Sequence, residues 1–180
     1  YKKLGLECLV ILGGNGSQKT ANLLREEGLN IIHLPKTIDN DLAVTDHTPG
    51  FGSAAKFIAA TMKEIIRDGL VYDYPTITIV EIMGRNAGYI ALWCGIANGA
   101  EDILLPEKYD YDEQKIINNI IENRRKGKKH HIIVNAEGIG HSTSMARRIE
   151  AATGIETRAT ILGHMQRGGS PVSYTHLTLP

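Results

Sequence analysis

Two carboxylates and a lysine lie close together in one short segment of this sequence. Residues 35–41 read Pro-Lys-Thr-Ile-Asp-Asn-Asp, so that Asp39 and Asp41 are two positions apart and Lys36 and Thr37 come just before them. Asp39 could act as a general base, Asp41 could support a Mg2+ ion, and Lys36 could neutralise phosphate charge. A plain polar turn, in which Asp and Asn side chains bond to nearby backbone groups, is the alternative interpretation.

A glycine-rich turn precedes this segment in the chain. Residues 13–17 read Gly-Gly-Asn-Gly-Ser, directly after the apolar run 8–12 and before a helical pattern. Glycine lets the backbone approach a phosphate closely, and the start of a helix favours negative charge. A simple tight turn would use the same residues. If the turn binds a phosphoryl donor together with Lys36, the contacting residues are Gly14, Asn15, Gly16 and Ser17.

Three more polar loops follow β-like runs. They contain Met83, Gly84 and Arg85 after residues 76–82, Glu137 after residues 131–135, and His164 and Arg167 after residues 157–162. Ligands of open α/β sheets bind beyond the carboxyl ends of the strands, which is where these loops begin. Guanidinium groups beside Glu and His suit an anionic sugar as the substrate.

Strands and helices alternate along the chain. The predicted strands are residues 8–12, 30–34, 76–82, 103–105, 131–135 and 156–162. The predicted helices are residues 17–27, 53–67, 86–98, 112–126 and 142–152. Helical spacing predicts core-facing positions at Ala21, Leu23, Leu24, Ala54, Phe57, Ile58, Met62 and Ile65. The alternation predicts an α/β fold in which a Rossmann-like parallel sheet carries helices on both faces, in three layers.

Composition narrows the functional class. The chain has 180 residues, 42% of them hydrophobic, and its 20 basic and 20 acidic side chains cancel. A net charge of zero gives no electrostatic reason to expect nucleic-acid or membrane binding. Two cysteines form no disulfide framework, and we see neither an apolar membrane span nor a signal peptide. These features predict a cytoplasmic enzyme.

Taken together, the motifs resemble those of the 6-phosphofructokinase family. GGNGS is similar to the family's GGDGS, PKTIDND to its TIDND segment, and EIMGR, AEG and RATILGHMQRGGSP have direct counterparts. The resemblance extends from about Leu9 to Pro171. It implies part of a two-domain fold and a phosphoryl transfer from ATP, with Mg2+, to the 1-hydroxyl of fructose 6-phosphate.

The resemblance also implies a role for each motif. Asp39 would accept the proton of the 1-hydroxyl, with Thr37 orienting it and Asp41 supporting it or the metal. Met83, Gly84, Arg85 and Glu137 would line the sugar, and His164 and Arg167 would bind the 6-phosphate. Arg158 would reach the 6-phosphate of a neighbouring subunit, which implies a homotetramer or homodimer.

A second, effector-binding site is a further implication. Its candidates are Gly99, Glu101, Lys126, Lys128 and His130. The basic side chains would meet a diphosphate, and Glu101 would meet a metal ion. A solvated helix end is the alternative, since lysines are favoured near a helix C-terminus.

Two positions depart from the family pattern. Asn15 replaces a metal-binding Asp, and a neutral amide binds Mg2+ more weakly than a carboxylate. Thr76 replaces an arginine that reaches across subunits.

The identity of the phosphoryl donor rests on two further positions. In this family a small Gly at the position of Gly16 accompanies ATP, because Asp there blocks the α-phosphate. A Lys at the position of Lys36 accompanies pyrophosphate. We expect ATP, because steric exclusion by Asp is the stronger constraint and Gly16 does not impose it. Pyrophosphate or mixed use of both donors is the alternative.

The ends of the chain are expected to be incomplete. We interpret residues 1–172 as a partial domain that lacks N-terminal and C-terminal parts. Residues 173–180 read like a translated sequencing adapter, and we expect them to be non-native. An inactive fragment and a non-catalytic α/β module that binds nucleotides or sugar phosphates are alternatives to an active enzyme. A binding module would tolerate the loss of Asp39.

Overall fold

The computed structural model describes residues 1–43, 45–108 and 111–170. Pro171, Val172 and the predicted adapter tail, residues 173–180, lie outside these ranges, so the predicted boundary after residue 172 stays a prediction. Within the described ranges, strands and α-helices alternate as the sequence predicts. In chain order they are β1 (Leu9–Gly13), α1 (Asn15–Glu26), β2 (Ile31–Pro35), α2 (Phe51–Val71), β3 (Thr76–Ile82), α3 (Tyr89–Asn98), β4 (Asp102–Leu104), α4 (Glu113–Arg125), β5 (His130–Ala136), α5 (Ser142–Thr153) and β6 (Glu156–Ile161).

All paired strands are parallel, as predicted. β1 and β2 form a two-stranded sheet, and the other four form a second sheet in the order β4-β5-β3-β6. α1 packs against β1 and β2. The four-stranded sheet is the middle of three layers, because α2 and α3 pack on one face and α4 and α5 on the other. Parallel strands buried on both faces explain the continuous β-branched runs of β3 and β5.

Several predicted helix bounds were wrong. α2 is longer at both ends than residues 53–67, and α3 begins at Tyr89 rather than at residue 86. Residues 84–88 instead form a glycine-containing turn, with Gly84 at φ 154°. α1 begins at Asn15, two residues earlier than predicted.

The predicted core faces are confirmed for α2 and partly wrong for α1. Ala54, Ile58 and Met62 are buried in α2, and the neighbouring Phe57 and Ile65 pack against the same core. On α1 only Ala21 is buried, Leu24 is half-buried and Leu23 is exposed. A two-stranded sheet offers α1 a narrow surface, so fewer of its apolar positions find a partner. None of the described helices has the combined length and apolar character needed to cross a bilayer.

Candidate active site

The acidic loop, residues 36–50, connects β2 to α2 and lies beyond the carboxyl end of β2. The Lys36 N–H donates to the carbonyl of Gly13, at 2.9 Å, which joins the loop to the end of β1. Thr37 pairs with Gly50 in an isolated bridge, and its N–H donates to the carbonyl of Pro49 at 3.1 Å. The loop therefore closes on itself where α2 begins.

Asp39 sits half-buried in a charged environment. Burial raises the pKa of its carboxyl group, and the nearby charges of Asp41 and Glu137 raise it further, while Thr37 and Arg85 lower it. The loops after β2, β3 and β5 thus converge, as the sequence predicts. A carboxylate with a raised pKa binds a proton more readily than an ordinary Asp, which is what a general base requires.

Asp41 has an unusual feature for a half-buried carboxylate. Its Oδ1 atom is buried and has no hydrogen-bond partner among the described residues. Buried polar atoms are normally paired, so an orphaned carboxylate oxygen suggests a group supplied from outside the chain. In the ranges that the structure describes, no cluster of three or more His, Cys, Asp or Glu side chains could hold a metal on its own.

The loop after β3 is held from two sides. Oε1 of Glu137 accepts from the N–H groups of Arg85, at 2.6 Å, and Gly84, at 3.3 Å. Arg85 has φ 56°, a left-handed conformation that a non-glycine residue adopts only when its surroundings fix it. One oxygen of Glu137, predicted to meet the sugar, thus positions the backbone of Arg85.

Gln166 holds the same loop from the other side. It is buried, its Oε1 accepts from the Met83 N–H at 3.0 Å, and its Nε2 donates to the carbonyl of Gly163 at 2.9 Å. His164 and Arg167, the predicted 6-phosphate ligands, are exposed on the short 3-10 helix Gly163–Gly168 that Gln166 anchors. Gln166 is not among the predicted site residues, although it stands between two of them, His164 and Arg167, in the sequence.

The glycine-rich turn adjoins the acidic loop. Gly14 is the N-cap residue of α1, and a Cβ atom there would lie 3.2 Å from Cβ of Thr37. Asn15 and Gly16 are exposed in the first turn of α1, and Ser17 is half-buried there. A Cβ added to Gly16 would meet nothing within 4 Å, so the space beside Gly16 is open.

Arg158 lies apart from this convergence. It is exposed on β6, in register with Thr78 in the middle of β3, and forms an ion pair with Glu156 at 2.6 Å. Thr76 and Arg158 both line a cavity of about 320 Å³ between the sheet and the end of α2. The Oγ1 atom of Thr76 is buried without a described hydrogen-bond partner.

The effector candidates lie near the amino ends of β4 and β5, whereas the candidate active site lies beyond the carboxyl ends of the strands. Glu101 forms an ion pair with Lys128 and accepts from the Ile132 N–H at 2.5 Å. Lys126 pairs with Glu122 of its own helix at 2.6 Å. Gly99 ends α3 in the left-handed conformation, and His130 begins β5 half-buried. Glu101, Lys126 and Lys128 thus pair with protein charges, and a bound effector remains a prediction.

The family follows from this arrangement and from direct comparison. A family model described as phosphofructokinase matches residues 1–178, and the chain belongs to this family. It is 49% identical over 172 residues to the ATP-dependent 6-phosphofructokinase 1 of Clostridium perfringens, covering 96% of this chain and 53% of that protein. An ATP-dependent 6-phosphofructokinase of Clostridium botulinum is 46% identical over 170 residues, which cover 94% of this chain and 52% of that protein. The chain therefore spans about half the length of the curated relatives it matches.

Solved structures share the fold. The phosphofructokinase of Saccharomyces cerevisiae superposes with a TM-score of 0.87 at 30% identity, over 96% of this chain and 27% of that one. A pyrophosphate-dependent phosphofructokinase from Marinobacter aquaeolei gives a TM-score of 0.80 at 28% identity, over 97% of this chain and 49% of that one. The predicted α/β fold is confirmed, and the chain superposes on part of each of these longer phosphofructokinase chains.

Proposed function

We propose that the protein carrying this chain transfers the terminal phosphoryl group of ATP to the 1-hydroxyl of fructose 6-phosphate. The observation that carries the proposal is the convergence of Asp39 with Asp41, Arg85 and Glu137 from three separate loops. A non-catalytic module would not need a carboxylate held where burial and like charges oppose its ionisation. The names of the bacterial relatives support both the activity and ATP as the donor.

In this mechanism Asp39 takes the proton of the sugar hydroxyl as the oxygen attacks the terminal phosphorus. A new oxygen–phosphorus bond forms, the bond to the bridging oxygen breaks, and ADP leaves with the bonding electron pair. Phosphoryl transfer depends mainly on positioning and charge neutralisation. The other site residues would therefore hold the reactants in place or balance their charge. Arg85 offsets the developing negative charge, and the Thr37 hydroxyl, which accepts from the Asp39 N–H at 3.2 Å, keeps the loop in shape.

The acidic loop has the features of a Mg2+ site that is completed by substrate. Mg2+ usually binds one or two carboxylates plus substrate phosphates and water, and does not need a full cage of protein ligands. The orphaned Oδ1 of Asp41 fits such a site, whereas the exposed Asn15 offers only an amide. Asp41 would hold the ion, which supplies charge neutralisation of the donor phosphates when bound.

The glycine-rich turn is proposed as the site of the donor phosphates. The open space at Gly16 leaves room for an α-phosphate in front of the positive end of α1. Gly14, Ser17 and Lys36 would contact the remaining phosphates from the same side.

The loops on the four-stranded sheet are proposed to hold the sugar phosphate. His164 and Arg167 are exposed and would contact the 6-phosphate, while Met83, Arg85 and Glu137 would line the sugar. Arg158, which lies opposite Thr78 in the middle of the sheet and not beyond the strand ends, would serve the site of a second copy in a homodimer or homotetramer. We place the enzyme in the cytoplasm.

Asp39→Asn in the full-length protein is the sharpest test of this function. Replacing the carboxylate by an amide of the same shape removes the base but not the contacts that bind the sugar. We expect kcat to fall by about 10²–10⁴-fold, with little change in KM for fructose 6-phosphate. Product formation should be followed by 31P NMR, which identifies the phosphorylated hydroxyl.

Asp46→Asn is the matched control, because Asp46 is an exposed acid in the same loop. It should retain nearly all the activity of the parent protein. A loss below about tenfold in Asp39→Asn would remove Asp39 as the base, given the usual contribution of general-base catalysis. If the parent protein phosphorylates no sugar phosphate with ATP, the proposed function is wrong.

A further inference from the structure

A buried threonine joins the acidic loop to the start of α2. Thr48 is fully buried, and its hydroxyl donates to the carbonyl of Thr37 at 2.7 Å. Its N–H donates to Oδ1 of Asn40 at 2.8 Å, and its own carbonyl accepts from the Phe51 N–H at 3.1 Å. Thr48 therefore contacts the residues on both sides of Asp39 and the first residue of the helix.

Asn40 occupies the position between the two aspartates, and its side chain bonds to residues later in the same loop. Its φ of 55° is left-handed, a conformation that Asn tolerates better than most residues. Its Nδ2 donates to the carbonyl of Asp46 at 3.0 Å, while Oδ1 accepts from Thr48. These bonds fasten the residue between Asp39 and Asp41 to the part of the loop that leads into α2.

The hydrogen bonds of Asn40 and Thr48 matter because they join two separately packed parts of the molecule. The acidic loop extends from β2, which packs with β1 and α1. α2 packs against α3, β3, β5 and the 3-10 segment that bears His164 and Arg167. The sugar-side residues Arg85 and Glu137 follow β3 and β5. The distance from Asp39 to those residues thus depends on how the loop is fastened to α2.

We propose that Thr48, together with Asn40, is a positioning residue that sets the place of Asp39 relative to the sugar-binding loops. This inference rests on the proposed function. Thr48 acts through the backbone of Thr37 and Asn40 and touches no substrate. Fixing a catalytic group matters because a displacement of about 1 Å can reduce the rate by about 10²-fold.

Thr48→Val tests the role with almost no change in shape. Valine fills the volume of threonine but cannot donate to the Thr37 carbonyl. In the full-length protein we expect kcat to fall at least about tenfold, while KM for fructose 6-phosphate stays within about threefold. Thr48→Ser keeps the hydroxyl and should restore most of kcat.

Thr157→Val is the matched control. Thr157 is also buried, and its hydroxyl donates to a backbone carbonyl, that of Ile155, at 2.9 Å. It lies near the start of β6, away from the strand ends that carry the site. The lost hydrogen bond should lower the urea midpoint of unfolding, as at Thr48, yet leave kcat unchanged.

A second variant covers the possibility that Thr48→Val folds poorly. Asn40→Gly keeps a residue suited to positive φ but removes the amide that accepts from Thr48, and should also lower kcat selectively. The inference is overturned if both variants keep the kcat of the parent protein per folded site, or if Thr48→Ser fails to restore it. A parent protein without activity would instead overturn the proposed function, and this inference with it.

Discussion

Asp39 and Glu113 are both acidic residues, and their surroundings shift the pKa values of their carboxyl groups in opposite directions. Glu113, at the start of α4, accepts from Nε and Nη2 of Arg148 on α5 at 2.7–3.0 Å, and the Tyr111 hydroxyl donates to it as well. These contacts, above all the hydrogen bonds from Arg148, lower the pKa of the Glu113 carboxyl group. The pKa of Asp39 is raised, chiefly by burial and then by Asp41.

The opposite pKa shifts indicate two roles: the ionised Glu113 carboxylate stabilises the fold, whereas the ionised Asp39 carboxylate is destabilised by its surroundings. Glu113 is satisfied by its own chain, and its charge ties α4 to α5. Asp39 lies beside two other acids, and the neighbouring Asp41 keeps an unpaired buried oxygen. A carboxylate whose pKa is raised by burial and by neighbouring acids is a candidate functional group, whereas one whose pKa is lowered by an ion pair within the fold is more typical of a structural role.

Arg167→Ala extends the comparison to a residue proposed to bind substrate, because Arg167 lies on the 3-10 helix Gly163–Gly168 that we propose as the 6-phosphate site. A hydrogen bond to a charged group is worth about 1.5–3 kcal/mol, so we expect KM for fructose 6-phosphate to rise by about 10- to 100-fold. The fall in kcat should be smaller, because Asp39 keeps its place. Steady-state kinetics with the sugar phosphate varied would measure both quantities.

Arg147→Ala provides the control for that experiment, since Arg147 is an exposed arginine on α5. It should leave KM unchanged. If KM is also unchanged in Arg167→Ala, the segment Gly163–Gly168 is not where the 6-phosphate binds.

Gly16→Asp tests the donor side, with a smaller expected effect. The open space at Gly16 accepts a side chain without a clash in the free protein. A carboxylate there would face the α-phosphate of ATP, and juxtaposed like charges cost several kcal/mol when desolvated. We expect ATP-dependent kcat/KM to fall at least about tenfold, and pyrophosphate-dependent kcat/KM to fall far less.

Gly16→Asn separates charge from size, because Asn matches Asp in shape. Its effect on the use of ATP should be smaller than that of Gly16→Asp. A parent protein that already prefers pyrophosphate would mean that Lys36, and not Gly16, was the better guide to the donor.

The sequence predicted the strand ends at which the candidate residues lie better than it predicted the contacts that hold those residues in place. Arg85 and Glu137 could be placed beyond the carboxyl ends of neighbouring strands because each follows an apolar run typical of a buried parallel strand, and Asp39 could be placed after a strand in the same way. The division of the strands into two sheets was not predicted, because strand order depends on packing between distant segments. Leu23 on α1 is exposed for a related reason: α1 packs against the narrow two-stranded sheet, and that pairing could not be read from the sequence.

Thr48 and Gln166 show what periodicity and motif spacing cannot supply. Both are buried polar residues that bond to loop backbone. Thr48 bonds to the carbonyl of Thr37, eleven residues earlier in its own loop, and Gln166 bonds to the N–H of Met83 in a loop distant in sequence. Nothing in the residue pattern reveals which carbonyl or N–H such a side chain will meet. These partners follow from tertiary contacts alone, so they had to be read from the structure.

The contrast between the two carboxylates is tested most directly by the free energy of unfolding of Asp39→Asn and Glu113→Gln, measured side by side in urea with EDTA. A raised folded-state pKa means that ionised Asp39 opposes folding above its unfolded pKa, so Asp39→Asn should equal or exceed the parent protein in stability at pH 7. A lowered pKa means that ionised Glu113 favours folding, so Glu113→Gln should be less stable by about 1 kcal/mol.

Both differences should shrink as the pH is lowered. The stability from Glu113 is lost as the pH falls through its lowered pKa, and the penalty at Asp39 decreases once the pH falls below its raised pKa and is gone below its unfolded pKa. Opposite signs at pH 7 are the result that we predict. Destabilisation of both variants by similar amounts would contradict the account, because Asp39 would then be one more carboxylate that stabilises the fold.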